Sequence, residues 1–293
     1  MIKIVLTVSA LGIGAVCGYL GTVHAAANGV QRENATVQTK QVARAATDFL
    51  ETLSAGQKQQ VSFDFTPQKT AAMAHFHRTS DDTVAIFGEP SDTKPWMVEF
   101  GGHHLGLNIV IAGSNGVMTP TLTGAQPSVY ERNGKSVRVL AQENDKAFTL
   151  LDALGGAQRK QAVLNYEVDD LVLGPGHAGD QIQPEGLKAS EMNDLQKTLL
   201  LDVVSEWAGI VHQAYAGSRI DEIKAGLNDT YFAWSGPTTH KPGQNGSSYY
   251  RIQGPKIVIE FSPQGTGGDK TLHVHTIYRD PTNDYGVKFN GAE

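Results

Sequence analysis

The stretch "SSYYRIQGPKIVIEFSPQGTGGDKTLHVHTIYRD", residues 247–280, decides the fold class. It contains three runs that are rich in β-branched and aromatic residues, separated by Gly254-Pro255 and by the glycine-rich "QGTGG". A fourth run of this kind, "TYFAWSG" at 230–236, lies just upstream. Short turns between strands imply antiparallel neighbours. The C-terminal third of the chain is therefore predicted to be a β-meander.

Helical patterns occupy the region before the meander. Helical spacing of apolar residues predicts helices over 37–55, over 145–164 with a break at a Gly-Gly pair, and over 191–216. Gly217 is expected to cap the last of these, and Ser218 to begin a shorter helix. Residues 96–111 are predicted to form one long central strand. Because helices and strands segregate, the fold class is predicted to be α+β, an antiparallel sheet packed with several α-helices.

Composition excludes several classes of protein. The chain has 293 residues, of which 40% are hydrophobic and 18% charged, as in an ordinary soluble protein. Its formal charge of −6 argues against a nucleic-acid partner, because no dense stripe of basic residues exists to neutralise phosphates. With Cys17 as the single cysteine, an intrachain disulfide and a cysteine-based zinc site are both excluded.

The first 25 residues have the layout of a secretory signal peptide. One lysine at position 3 precedes an apolar run, and small residues follow up to Val23-His24-Ala25, a V-x-A cleavage pattern. We therefore expect a signal peptide over 1–25, a flexible leader over 26–36 and a single α+β domain over 37–293. The processed protein is expected to be exported, periplasmic or secreted. No later stretch approaches the roughly 18 apolar residues of a membrane span, so no stable membrane span is expected after processing.

Two histidine pairs carry the chemistry of the sequence. In "TLHVHTIY", residues 271–278, His273 and His275 share one strand face, with their Cα atoms about 7 Å apart, which suits metal chelation. In "EFGGHHLGLNIVI", residues 99–111, alternation along a strand separates the adjacent pair. His103 falls on an apolar face and is expected to be a hydrogen-bonded core residue. His104 falls with glycines and an asparagine, and is the better candidate for a cavity.

These residues define a candidate metal site. His104, His273 and His275 would bind zinc, copper or iron with one coordination position left open, and His103 is kept as an alternative ligand. Glu260 or Glu99 would be a fourth ligand or a general base. Arg279 would clamp an anionic substrate. The alternative for the arginine is a salt bridge that fixes the turn after the last strand.

Three separated motifs resemble one family. The motifs are "IFGEPSDTKPWMVEFGGHHLGLNIVI", "YYRIQGPKIVIEF" and "HVHTIYRDPTNDYG", and the turn "TPTLTGAQP" accompanies them. With these motifs in the same order, the chain resembles the domain-of-unknown-function family number 3500, which is found in exported proteins. The likeness covers roughly residues 40–289. It implies one domain with the Gly-His-His and His-x-His elements as its hallmarks, and it carries over neither a metal nor a substrate.

Three functional hypotheses follow. The leading one is an exported metalloenzyme, a hydrolase or an oxidoreductase, with one divalent transition metal and a small-molecule substrate. The second is a periplasmic metal-handling or ligand-binding protein without turnover. The third is a metal-free hydrolase or lyase, in which His104 and His275 act as acid and base.

Overall fold

The computed structural model describes residues 35–65, 82–265 and 268–289, and a ten-stranded sheet is its central element. The strands are β1 (Ser62–Phe63), β2 (Thr83–Phe87), β3 (Trp96–Gly101), β4 (Leu105–Ala112), β5 (Asn115–Ala125), β6 (Val129–Arg132), β7 (Lys135–Arg138), β8 (Leu187–Lys188), β9 (Tyr231–Ser235), β10 (Tyr249–Gly254), β11 (Ile257–Pro263) and β12 (Val274–Arg279). The α-helices are α1 (Ala35–Glu51), α2 (Ala55–Val61), α3 (Ala141–Asp152), α4 (Gly156–Ala162), α5 (Asp194–Ala208) and α6 (Gln213–Ala225). Short 3₁₀ helices are Ala189–Glu191, Leu227–Asp229, Lys270–Leu272 and Asp284–Phe289.

The order of strands across the large sheet is β1-β2-β3-β4-β5-β12-β11-β10-β9-β8. The pair β1–β2 is parallel and the other neighbouring pairs are antiparallel. Strands β6 and β7 form a separate hairpin. The predicted meander is confirmed as β9 to β12, and the predicted α+β class is confirmed with it. The last strand, β12, does not lie at an edge, because β5 pairs with its other side.

Two of the apolar clusters lie on one face of this sheet. Helix α1 packs on a cluster that includes Ile86, Trp96 and Ile111. Helices α3, α5 and α6 contribute to a larger cluster with the meander. The strand register shows that these two clusters share a face of the sheet. Tyr278 pairs with Thr121, Thr121 pairs with Leu107, and Leu107 pairs with Phe100. Side chains directly opposite one another share a face. The side chain of Tyr278, in the larger cluster, is therefore on the same face as that of Trp96.

The opposite face of the sheet is apolar over β2 to β4, where Phe87, Met97 and Val110 belong to a third cluster, and largely polar over the central strands. The polar residues there alternate with the core residues and include Arg251, Glu260, Ser262, His273, His275 and Arg279, all at most 9% exposed. This part is called the polar face below. Irregular chain over 165–186 covers much of this face, and the 3₁₀ helix Asp284–Phe289 covers another part. Because a buried polar group is costly without hydrogen bonds, the covering segments have to provide partners as well as exclude water.

The predicted long strand over 96–111 is wrong in one respect. Strand β3 ends at Gly101 and β4 begins at Leu105, so the stretch is a hairpin with its turn at residues 102–104. Both arms are apolar and the turn contains no proline. The apolar periodicity of the sequence consequently continues through the turn without a break.

The helix predicted over 191–216 is also two elements. Helix α5 ends at Ala208 with Gly209 as its C-cap, and α6 begins at Gln213. Ser218 is therefore inside α6 and does not cap it. Both helices pack on the same core, and the apolar spacing continues across the break for that reason. The Gly-Gly break in the predicted helix over 145–164 is confirmed, between α3 and α4.

The predicted signal peptide and nearly all of the leader, residues 1–34, lie outside the described residues, and their boundaries stay predictions. Across the described ranges, no helix combines the length and the apolar character needed to cross a membrane.

Glycine at position 186 is required where the covering chain enters β8. Gly186 has φ of +93°, and a Cβ there would lie 2.2 Å from the carbonyl oxygen of Phe232. Gly179 has a similar φ of +85° but nothing within 4 Å of its added Cβ. Strain at such a φ costs about 1–3 kcal/mol, and the clash with backbone adds to it. Gly186→Ala is thus expected to lower the free energy of unfolding by at least about 2 kcal/mol more than Gly179→Ala does.

Urea unfolding of both variants, followed by far-UV circular dichroism, measures this difference. Equal losses in the two variants would show that the approach of residue 186 to β9 is not tight.

Candidate metal centre

The hairpin turn between β3 and β4 presents two adjacent histidines. The centroids of the His103 and His104 rings are 4.4 Å apart. Gly102 begins the turn, and its backbone N–H donates to the carbonyl oxygen of Leu105 at 2.8 Å. His103 is exposed and His104 half-buried. The prediction that His103 is a core residue is wrong, because strand alternation does not hold in a turn.

The second histidine pair lies at the start of β12. His273 has extended backbone, with φ −135° and ψ 123°, and continues the line of the strand. The Nε2 atoms of His273 and His275 are 3.1 Å apart. The two residues are 6% and 9% exposed. The alternation of a strand therefore brings both rings to the polar face, as the His-x-His spacing predicts.

The two pairs meet across an intervening strand. The Nε2 atoms of His104 and His273 are 3.2 Å apart, although β5 lies between β4 and β12 in the sheet. Gly124 of β5 stands directly opposite His275. A Cβ at Gly124 would lie 3.0 Å from Cδ2 of His104 and 3.0 Å from Cδ2 of His275. The rings thus meet over a position that holds no side chain.

The spacing of these ring nitrogens matches the spacing of metal ligands. Each ring nitrogen of a neutral imidazole carries either one hydrogen or one in-plane lone pair. Nε2 of His273 is close to two other Nε2 atoms at once, and it can form only one well-directed hydrogen bond with them. Two nitrogens that bind zinc tetrahedrally, at about 2.0–2.1 Å each, lie about 3.3 Å apart. The observed spacings are close to that value.

His103 adds a fourth nitrogen on the exposed side. One ring nitrogen from each of His103, His104 and His275 lies within 4.8 Å of the others. The centroid of the His103 ring is 6.4 Å from that of His275, whereas the His104 centroid is 5.2 Å from it. His103 is accordingly close to His104 and farther from His275. A further His-x-His pair of the sequence, His75 and His77, lies outside the described residues.

Glu260 is engaged with the segment that covers the polar face. It is fully buried, and its carboxylate accepts hydrogen bonds from the backbone N–H groups of Val172 and Leu173, at 3.0 and 2.7 Å. The hydroxyl of Tyr249 donates a third, at 2.5 Å. Burial and the neighbouring carboxylate raise the pKa of the Tyr249 hydroxyl well above its ordinary value, which keeps the donating proton in place. The geometry gives Glu260 the position of an anchor for the covering chain.

Arg279 is engaged in the same way. Its Nε donates to Oδ2 of Asp284 at 2.7 Å, and its Nη1 donates to the carbonyl oxygens of Leu173 and His177 at 3.2 and 2.9 Å. Burial raises the pKa of the Asp284 carboxyl, and the arginine opposes that shift. This is the geometry of the salt-bridge alternative. The anion clamp stays a prediction that these contacts do not favour.

Glu99 is buried in β3, at 3% exposure, and pairs with Asn108 of β4. The register places it on the histidine face, two residues before the glycine that ends β3. Of the two predicted acids, it is the one whose strand leads directly into the histidine turn. Its role as ligand or base stays a prediction.

Sequence reasoning missed Gly124. It lies in "TPTLTGAQP", within a run that otherwise reads as a strand. A glycine inside a strand often marks the close approach of another group, and this is the signal that was available.

The comparisons with known proteins give a family and no activity. No curated protein and no solved structure matches the chain. The model of the family described as "Protein of unknown function (DUF3500)" matches residues 80–287, which include both histidine pairs and Gly124. Since this match spans well over half of the chain and agrees with the resemblance in the three motifs, the protein belongs to the DUF3500 family.

Proposed function

We propose that this protein binds one divalent transition metal through His104, His273 and His275. The observation that supports the proposal is the pair of Nε2 separations, 3.2 and 3.1 Å, both of which involve the same atom of His273. One cation would be shared by the three imidazoles at these spacings. Imidazole ligands suit zinc, copper and iron.

We further propose that the site is catalytic. Catalytic zinc sites have three protein ligands and one open position, whereas structural sites have four protein ligands. The exposed His103 side is where such an open position would face solvent. A metal held by three imidazoles can lower the pKa of its water to about 7, which supports hydrolysis, and copper or iron would support oxidation. The net charge of −6 favours a small molecule over nucleic acid as the substrate.

A metal-handling role is the second candidate. One nitrogen of His103 is within 4.8 Å of those of His104 and His275, so a small movement of an exposed turn would complete four protein ligands. A third candidate, metal-free acid–base catalysis, rests on the same short distances between ring nitrogens, read as hydrogen bonds.

Removal of the central ligand tests metal binding. We expect His273→Ala to lose the metal, because its Nε2 is the atom that contacts both other nitrogens. His177→Ala, at an exposed histidine of the covering chain, is the matched control and should retain about one equivalent. Metal analysis of untagged protein after loading with Zn²⁺, Cu²⁺ or Fe²⁺ measures the content, and circular dichroism checks folding. Wild-type protein that binds none of the three ions leaves only the metal-free candidate.

The His103→Ala variant separates catalysis from metal handling. For a catalytic site we expect this variant to keep its metal, and azide to change the visible spectrum of the Co²⁺-loaded wild-type protein by entering the open position. Loss of the metal in His103→Ala, with no response of the wild type to azide, would identify a closed four-histidine site.

Gly124 supplies an independent test. We expect Gly124→Ala to weaken metal binding by about tenfold or more, because the added methyl group would lie 3.0 Å from the rings of His104 and His275 and 2.7 Å from the carbonyl oxygen of Val274, between the two ligands of β12. Gly106→Ala is the control, since a Cβ there would make only an ordinary contact, 3.6 Å from Cβ of Leu122. Metal titration of both folded variants measures the two affinities. Equal affinities would show that the rings do not need the bare position.

We also propose that the protein acts after export. The lysine at position 3, the apolar run and the V-x-A pattern at 23–25 support this. Mass spectrometry of the protein from the culture medium or periplasm should give an N-terminus at Ala26. Full-length protein that stays in the cytoplasm would contradict the proposal.

A further inference from the structure

A cavity of about 290 Å³ lies on the helix-covered face of the sheet, away from the histidines. Its floor is formed by β4 and β5, and α1, the end of α5 and the start of α6 form its walls. The apolar side chains that line it include Val42, Ile109, Ile111, Met118, Ala208 and Ile210.

The position of the helices explains the cavity. Helix α1 packs on one core cluster and helices α5 and α6 pack on another. Between these clusters the helices are joined by a polar contact, in which the Tyr215 hydroxyl lies 2.6 Å from Oγ1 of Thr39. Protein interiors contain few voids larger than a water molecule. A space of this size between two well-packed clusters is therefore a feature of the fold that needs an explanation.

The charge of the cavity wall is already balanced. Arg219 lines one end, and its guanidinium donates to the Tyr278 hydroxyl, to Glu222, to Asp280 and to the carbonyl oxygen of Lys256. With these partners, the arginine has no need of an anion. The remaining wall is mainly apolar, and its polar side chains are Gln38, His212 and Tyr215.

The connection between α5 and α6 brings the cavity to the surface of the protein. Ile210 of this connection lines the cavity and is 49% exposed. The backbone N–H groups of Gly209 and Ile210 still bond to α5, so the connection between the helices is short and ordered. Entry of a small molecule at this point would not require it to cross the sheet.

We propose that this cavity binds a neutral, mainly apolar small molecule with one ring, a short alkyl chain and a single hydroxyl or carbonyl group. An apolar cavity of about 150 Å³ holds benzene, so this one admits a ring with a side chain. Small-molecule pockets range upward from about 300 Å³, and the volume here is at that lower limit. The inference does not depend on the proposed metal site.

The probe for the test is 4-propylphenol, titrated into the wild-type protein by calorimetry. We expect saturable binding of one equivalent. Ala208→Phe, which places a ring in the cavity, should weaken the affinity by at least about tenfold. Leu195→Phe adds the same ring to α5 at a residue that is 64% exposed and does not line the cavity, and it should change the affinity by less than about twofold.

Three further measurements make the result decisive. Val42→Phe fills the cavity from α1 and replaces Ala208→Phe if that variant does not fold. The anion 4-propylbenzoate should bind at least about tenfold more weakly than the phenol. His273→Ala should bind the phenol as the wild type does, which separates this site from the metal site. Absence of saturable binding, unchanged affinity in a folded filled variant, or equal binding of the anion would overturn the proposal.

Discussion

The histidine site depends on the absence of a side chain at Gly124. Neighbouring strands lie about 4.8 Å apart, so a turn beside β4 and residues of β12 are separated by roughly twice that distance. Two imidazoles can close such a gap only if they meet above the intervening strand. Gly124 of β5 is that meeting point, and its added Cβ would touch both rings at 3.0 Å. The same residue is opposite His275, so the register of β5 against β12 and the site are determined together.

Buried charges on the polar face make the covering chain an integral part of the fold. Glu260, Arg251 and Arg279 are all nearly or completely buried. Taking such ions out of water costs several kcal/mol each unless partners replace the water. The chain over 165–186 supplies these partners: two backbone N–H groups for Glu260, the carboxylate of Glu185 for Arg251 and two carbonyl oxygens for Arg279. The irregular chain is therefore held on the sheet by polar contacts, whereas segments that cover an apolar core are held by side-chain packing.

The sequence predicted what depends on local spacing and missed what depends on tertiary contacts. The meander and the shared face of His273 and His275 follow from strand alternation, and both are observed. The turn at 102–104 and the helix break after Ala208 were missed, because apolar periodicity continues through both. Two of the three partners of Glu260, the backbone N–H groups of Val172 and Leu173, are 88 and 87 residues away along the chain, and no spacing rule identifies contacts at that distance.

The two halves of the candidate site are held with different rigidity. His275 belongs to a strand with a neighbour on each side, and the backbone bonds to β5 and β11 fix its position. His103 and His104 lie in a turn, where one side chain is exposed and the local backbone forms no ladder. In the proposed metal site, the strands already in place would be a preorganised base for the cation, and the turn would supply the more adjustable ligands. The choice between an open and a closed coordination sphere would then depend on the hairpin turn, which holds His103 and His104.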